Sequence, residues 1–251
     1  VDHYGGTLEN RARFLLDVIR AIRRKAGADF HLQVKISTTE FNNALTVFEP
    51  PGNTIEDSVQ VCQWAEQAGA DAIVVSAGST FPHPRNPPGD FPTEEAIKTI
   101  DSMISSGSRV RFNYTLLSNP AGAKIFRTSW LKARGEIIEG INLADSRRIK
   151  QAVGIPVLCT GGFQTASVIR AAIEGGDCDA VTIGRSFIAN NDLPQILASG
   201  RDTPERPCTY CNKCLVNVLE NPLGCYEQDR YPSREAMVAD ILSVFDPPPF
   251  P

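Results

Sequence analysis

Residues 144–185 read ADSRRIKQAVGIPVLCTGGFQTASVIRAAIEGGDCDAVTIGR and decide the fold. Their pattern predicts two helices, Ala144 to Val153 and Thr165 to Glu174, each stopped by glycine. A short apolar strand follows each helix, Pro156 to Thr160 and then Asp179 to Ile183. Two helix–strand units in a row are typical of a parallel sheet with right-handed crossover connections.

The same unit occurs twice near the beginning of the chain. An apolar stripe predicts a helix from about Leu8 to Ala26, capped by Thr7, before a strand from Phe30 to Ser37. A second helix from about Thr54 to Gln67 precedes a buried strand, Ala70 to Ser76. The sequence therefore predicts an α/β fold with a parallel sheet.

The segment from Ser79 to Ile141 breaks the alternation. It opens with a proline-rich loop, and we expect a helix from Thr93 to Ser105 and a strand or hairpin from Arg109 to Leu117. An interval this long inside an α/β fold is usually a substrate lid or an insertion. From Thr203 onward the chain contains four clustered cysteines, a predicted helix at Ser233 to Phe245 and a disordered end at Pro247 to Pro251.

Composition excludes several classes of protein. The 251 residues carry 25 Lys and Arg against 29 Asp and Glu, and no basic run suggests a nucleic-acid partner. No stretch approaches the roughly 20 apolar residues that span a bilayer, so we expect no membrane association. Seven cysteines, an odd number with four of them clustered, argue against a disulfide framework and for a reducing, cytoplasmic compartment.

Two strand ends have the composition of a phosphate site. Gly161 and Gly162 follow one strand, and Gly184 and Arg185 follow the next. Glycine lets the backbone approach an anion, the following helix offers N–H groups, and arginine adds a fork of donors. We therefore predict that these four residues bind phosphate; the alternative is that the glycines only make tight turns.

Lys35 ends the first predicted strand, on the face opposite Leu32, Val34 and Ile36. In a barrel the face away from the helices is the interior, where a lysine is a candidate cation for an anionic ligand. The alternative is an ordinary solvated lysine.

The clustered cysteines are Cys208, Cys211, Cys214 and Cys225, separated by two, two and ten residues. Four thiolates can close a tetrahedral set around zinc or hold an iron–sulfur cluster. The alternative is a group of free thiols.

Three motifs resemble the Old Yellow Enzyme family of flavin oxidoreductases. They are DHYGGTLENRARF at 2–14, IPVLCTGGF at 155–163 and DAVTIGRSFIANNDLP at 179–194. The cysteine tail is similar to that of the 2,4-dienoyl-CoA reductase branch, which holds a [4Fe-4S] cluster. In this chain the second and third cysteine gaps are each one residue shorter than in that branch.

This resemblance implies a (β/α)8 TIM barrel that binds FMN at the carboxyl ends of its strands. The chain would carry strands five to eight as a half-barrel over residues 1–200, with the lid at about 79–141, and a cysteine tail over 201–251. Lys35 would contact the flavin pyrimidine edge, where a positive charge favours the reduced ring. Gly161, Gly162, Gly184 and Arg185 would hold the phosphate, and the cysteines a [4Fe-4S] cluster or zinc.

The implied activity is reduction of an activated alkene, of enone or dienoyl type, by NADH or NADPH. No catalytic acid is assigned, and His83 and Asn86 spell His-x-x-Asn after the wrong strand, so we interpret that motif as a coincidence. Open edges on a half-barrel predict oligomerisation. Two alternatives remain: a non-catalytic metal-binding interaction module on a half-barrel scaffold, and another phosphate-binding TIM-barrel enzyme.

Overall fold

The computed structural model describes residues 3–41, 52–79, 83–99 and 108–243. They form two units, one of Val1–Asn86 with Ile137–Ile183 and the other of Pro87–Glu136 with Gly184–Pro251. In chain order the elements are α1 (Leu8–Ala26), β1 (Gln33–Phe41), α2 (Ile55–Ala68), β2 (Ala72–Ser79), α3 (Thr93–Lys98), α4 (Ser108–Ser118), α5 (Pro120–Arg134), α6 (Leu143–Lys150), β3 (Val157–Thr160), α7 (Ala166–Glu174), β4 (Ala180–Thr182), α8 (Arg185–Ala189), α9 (Leu193–Ala198), α10 (Lys213–Asn217) and α11 (Arg234–Ser243).

The first unit is built on a parallel sheet whose strand order is β1-β2-β3-β4. Val34 pairs with Ile73, and Ile73 pairs with Val157, so apolar side chains align across three strands. The helices bury this face with side chains that include Ile19, Cys62 and Ile149. Full burial of a valine or isoleucine contributes about 1.5–3 kcal/mol. The helices therefore cover one face of the sheet and leave the other face uncovered by them. The parallel sheet with its helices confirms the predicted α/β fold.

Side-chain caps set the beginnings of the first two helices. Thr7 Oγ1 accepts a hydrogen bond from the Asn10 N–H at the start of α1. Thr54 and Asp57 form a reciprocal capping box at the start of α2, in which each side chain bonds the other's backbone N–H. Both helices therefore begin within a residue of the positions that the sequence predicts.

Aromatic packing organises the second unit. Phe91 lies 4.9 Å, between ring centroids, from both Phe126 and Trp130. The Trp130 indole N–H donates to the Gly89 carbonyl at 2.9 Å, so the buried polar atom is satisfied. Leu117 of α4 completes this small core against α5.

The expected strand or hairpin at Arg109 to Leu117 is wrong, because those residues lie in helix α4. Asn119 caps the next helix by accepting from the Ala121 and Gly122 N–H groups, and Pro120 occupies its first turn. Leu117 can then pack on α5 as one arm of a helical hairpin. That tertiary contact overrides the strand propensity of the aromatic and β-branched residues in the segment.

Other boundaries differ by a few residues. β1 extends to Phe41 rather than ending at Ser37, and the predicted helix from Thr93 ends at Lys98 in the described part of the chain. The predicted disordered end, Pro247 to Pro251, lies outside the described residues. The division into a barrel half and a cysteine tail stays a prediction. None of the helices in the described ranges is long and apolar enough to cross a membrane.

Candidate functional site

A row of hydroxyl side chains crosses the open face of the sheet in the first unit. Ser37 pairs with Ser76, and Thr160 pairs with Thr182. The register that pairs Val75 with Cys159 places Ser76 beside Thr160, so the four hydroxyls stand side by side. All four residues are half-buried. Because side chains alternate along a strand, the row faces away from the helix-covered core. This face offers small donors and acceptors to a polar ligand.

Lys35 lies on the same open face, two residues before Ser37, and is exposed. It is the third residue of the nine in β1, so its expected position at the carboxyl end of the strand is wrong. The reason is that β1 continues to Phe41. The Glu40 N–H donates to the Asn53 carbonyl at 3.0 Å in this added part of the strand. The predicted face of Lys35 is nevertheless the observed one.

Gly161 and Gly162 pack against the segment that precedes α6. The Gly140 N–H donates to the Gly161 carbonyl at 2.6 Å. Gly162 has a φ of +70°, and a Cβ there would lie 3.0 Å from the Ile138 carbonyl oxygen. A close backbone approach and a left-handed conformation therefore account for glycine at Gly162. These contacts favour the tight-turn interpretation for this pair.

Glu139 places a carboxylate beside the same loop. Its Oε1 accepts from the N–H groups of Gln164 and Thr165, both at 2.6 Å, and its Oε2 accepts from Thr165 Oγ1 at 2.9 Å. Gln164 and Thr165 lead into α7, so the carboxylate also lies near the positive end of that helix. The N–H groups at the start of α7, which the sequence analysis offers to a phosphate, therefore already bind the Glu139 carboxylate. No local motif marks this contact, because Glu139 lies 26 residues before Thr165.

His83 is buried after the carboxyl end of β2. Its ring stacks on Phe41 with a centroid separation of 4.9 Å, and its Nδ1 accepts from the Arg85 backbone N–H at 3.1 Å. Burial, reinforced by the positive charge of Arg85, lowers the pKa of His83 to about 4. The imidazole is therefore neutral at pH 7, and it is held by the fold rather than projecting from a solvated loop.

Gly184 and Arg185 belong to the second unit, whereas Gly161 and Gly162 belong to the first. Gly184 has open space where a Cβ would stand. Arg185 instead turns toward the cysteine loop: its Nη1 donates to the Pro88 carbonyl at 2.6 Å and to Asn212 Oδ1. Its guanidinium carbon lies 5.3 Å from the centroid of the Tyr210 ring.

The four clustered cysteines line one small cavity in the second unit, of about 20 Å³. Arg185, Arg230 and Glu227 are on the same wall. None of the four cysteines is in a disulfide, and Cys214 is the most deeply buried of them. The fold thus brings Cys208, Cys211, Cys214 and Cys225 together, as the spacing predicts.

Burial raises the pKa of three of these thiols, Cys208, Cys211 and Cys214. It raises the pKa of Cys211 to about 11 and the pKa of Cys214 to about 12. A backbone hydrogen bond from Lys213 acts in the opposite direction on Cys211, and the Arg185 charge does so on Cys214. Among the residues that the structure describes, no group of three or more His, Cys, Asp or Glu side chains is already assembled as a metal site. Thiolates are the donors that soft metals prefer.

Comparison with known proteins shows a family resemblance in the first third of the chain. Residues 1–88, which include β1 and Lys35, match the model of the NADH:flavin oxidoreductase / NADH oxidase family. The match covers 88 of the 251 residues. The matched family is the one that the three sequence motifs resemble, so that prediction is confirmed.

Curated relatives and a solved structure are similar to most of this chain. The chain is 27% identical over 244 residues to an NADH oxidase from Thermoanaerobacter brockii, covering 91% of this chain and 29% of that protein. It is 23% identical over 222 residues to a cinnamate reductase from Clostridium sporogenes, covering 88% and 27%. A 2-naphthoyl-CoA reductase structure matches with a TM-score of 0.57 and 22% identity, covering 90% and 27%. The chain thus spans less than a third of the length of each of these proteins.

Proposed function

We propose that the chain is the FMN-binding part of an oxidoreductase that uses NADH or NADPH to reduce an activated alkene of the enone or dienoyl type. The observation that carries this proposal is the open face of the sheet, on which Lys35 lies two residues before Ser37 of the hydroxyl row. Both residues are in β1, which lies within the segment matched by the family model. The names of the relatives, an NADH oxidase and a cinnamate reductase, support both halves of the reaction.

We also infer that the sheet is half of a (β/α)8 barrel, strands five to eight. Its support is the strand order, because consecutive barrel strands are parallel neighbours in chain order. Within the described residues, β1 and β4 each pair on one side only. Such edges present unpaired N–H and C=O groups, so the chain alone is expected to dimerise or aggregate through them.

The residues on the open face fit a flavin. Lys35 is exposed and can place a positive charge at the pyrimidine edge, and the hydroxyl row can orient polar ring atoms. Bound FMN would supply the hydride-transfer chemistry, and a nearby cation makes the ring easier to reduce. Gly161 of the first unit stays a proposed phosphate contact, and Gly162 and Gly184 stay predictions from the sequence. Arg185, which the sequence assigns to the same phosphate, is directed at the cysteine cavity instead.

The second part of the proposal is a metal centre at Cys208, Cys211, Cys214 and Cys225, either a [4Fe-4S] cluster or zinc. Its support is that the four cysteines, none of them in a disulfide, line a single cavity. Thiolate ligands select these two kinds of centre.

The test uses the full gene product that contains this chain. We expect it to contain FMN, to oxidise NADH or NADPH and to reduce an enone. Lys35→Ala should slow reduction of the flavin by the nicotinamide, whereas Lys132→Ala, at an exposed position of α5, should not. A protein that neither contains nor takes up FMN would refute the proposed function.

A further inference from the structure

The helical hairpin of α4 and α5 lies in a segment that carries only one sign of charge. The sequence has no Asp or Glu between Asp101 and Glu136. The basic residues in the same interval are Arg109, Arg111, Lys124, Arg127, Lys132 and Arg134. The whole chain, in contrast, has a net charge of −4. A block of positive charge in an acidic chain is a candidate contact surface for an anionic partner.

Helical periodicity turns one side of α5 into the core and the other side outward. Phe126 and Trp130, four residues apart, are buried. Lys124 and Ile125 are exposed and lie away from that buried side. Leu131 is also exposed, and it follows Lys124 by seven residues, about two turns, on the same side of the helix. The outer side of α5 thus combines a cation with two large apolar side chains.

Helix α4 adds a second cation and an aromatic ring to the outside of the hairpin. Its Leu117 is buried against α5, whereas Arg111 and Phe112 are exposed. Phe112 and Ile125 are each 67% exposed, which is unusual for side chains of this size. We define the hairpin surface as the exposed side chains of Arg111, Phe112, Lys124, Ile125 and Leu131.

The cations of the hairpin surface are available to a partner. Arg127, beside the surface, is paired with Asp90 at 3.0 Å. In the parts of the chain that the structure describes, no carboxylate forms an ion pair with Arg111 or Lys124. Their charge is therefore not neutralised by these parts of the chain, and it can attract an anion from solution.

The exposed apolar side chains distinguish between anionic partners. A nucleic acid offers phosphates to Arg111 and Lys124, but its backbone has no apolar contact for Ile125. A second copy of the chain would bring two cationic surfaces together, and like charges repel. An anionic lipid surface offers phosphates to the cations and acyl chains to the apolar side chains. The combination of charges and apolar groups therefore favours a membrane surface.

We propose that the hairpin surface binds the protein peripherally to membranes that contain anionic lipids. Arg111 and Lys124 contact the lipid phosphates, and Phe112, Ile125 and Leu131 enter the boundary between headgroups and acyl chains. The expectation of no membrane association rests on the lack of a long apolar stretch, which only a spanning segment needs. This inference goes beyond the proposed flavin chemistry and does not depend on it.

Cosedimentation of the full gene product with lipid vesicles tests the proposal. We expect binding to vesicles of equal parts phosphatidylcholine and phosphatidylglycerol, and little binding to phosphatidylcholine alone. Binding should weaken as salt is raised, because the screening length shrinks to about 3 Å at about 1 M salt. Arg111→Gln with Lys124→Gln should weaken binding roughly 25-fold, because each basic residue near an anionic surface contributes about 5-fold. Ile125→Ser should weaken it roughly 10-fold through lost apolar burial.

A matched control removes the same charge elsewhere. Arg24→Gln with Lys25→Gln, at exposed positions of α1, should bind the vesicles like wild type. Far-ultraviolet circular dichroism shows that each variant is folded. The assay contains neither nicotinamide nor alkene, so its result is separate from the test of the flavin function.

Four results would overturn the proposal. Wild type that does not bind the phosphatidylglycerol vesicles would refute it, and equal loss in the α1 control would show that only net charge matters. Binding to double-stranded DNA or to polyglutamate as tight as binding to the vesicles, and unchanged by Ile125→Ser, would make the surface a general polyanion site or a protein site. Self-association that Ile125→Ser abolishes, without vesicle binding, would assign the surface to a second copy of the chain.

Discussion

Glu139 is predicted to stabilise the loop that precedes α7 through its charge as well as its shape. Its carboxylate accepts three hydrogen bonds, two of them from backbone N–H groups at 2.6 Å. Glu139→Gln keeps an oxygen for the two N–H groups but removes the negative charge near the helix terminus. Charge–dipole interactions of this kind are worth about 0.3–2 kcal/mol. We therefore expect the free energy of unfolding to fall by about 1–2 kcal/mol.

Glu139→Ala should cost more, because it leaves the N–H groups of Gln164 and Thr165 without their acceptor. An unpaired buried donor costs about 1–3 kcal/mol, and partial burial of this site favours the lower half of that range. The expected loss is about 2–4 kcal/mol. Urea unfolding monitored by circular dichroism measures both values, with Glu136→Gln, exposed and three residues away, as the control. If Gln and Ala both unfold within about 0.5 kcal/mol of wild type, the capping argument fails.

Three further predictions concern single side chains in the first unit. Lys35→Ala should lower the reduction potential of bound flavin, measured by dye-coupled titration, and an unchanged potential would remove Lys35 from the flavin site. Arg23→Met should cost about 2–4 kcal/mol in urea, because it breaks the 2.6 Å bond to the Gly69 carbonyl and the ion pair with Asp71; a loss below about 1 kcal/mol would contradict this. His83, whose folded pKa is lowered to about 4, binds more protons when unfolded, so stability should fall by about 2 kcal/mol from pH 6.5 to pH 5. His83→Phe should remove that part of the pH dependence, and an identical slope in the variant would show that another group titrates.

Local rules predicted the sheet unit well, because its signals are short-range. The glycines that follow α1, α2 and α7, the capping threonines and the apolar runs of β2, β3 and β4 all act within a few residues. The hydroxyl row depends on the register between the strands, which cannot be read from the sequence. Ser37, Ser76, Thr160 and Thr182 become a row only when all four strands are paired.

Long-range contacts explain the failures. Helix α4 is stabilised by the packing of Leu117 against α5. Strand β1 is extended by the hydrogen bond from the Glu40 N–H to the Asn53 carbonyl. Glu139 and Arg185 reach partners 26 and 27 residues away, Thr165 and Asn212, so no local motif marks either contact. The sequence predicted that the four cysteines would cluster, but it gave no sign that Arg185 would face them.

The visible absorption spectrum of the purified gene product tests the central claim most directly. The account predicts flavin bands corresponding to about one FMN per chain, which bleach when NADH or NADPH is added without oxygen. A colourless protein that takes up no FMN when the cofactor is supplied would contradict the assignment of the open sheet face as a flavin site.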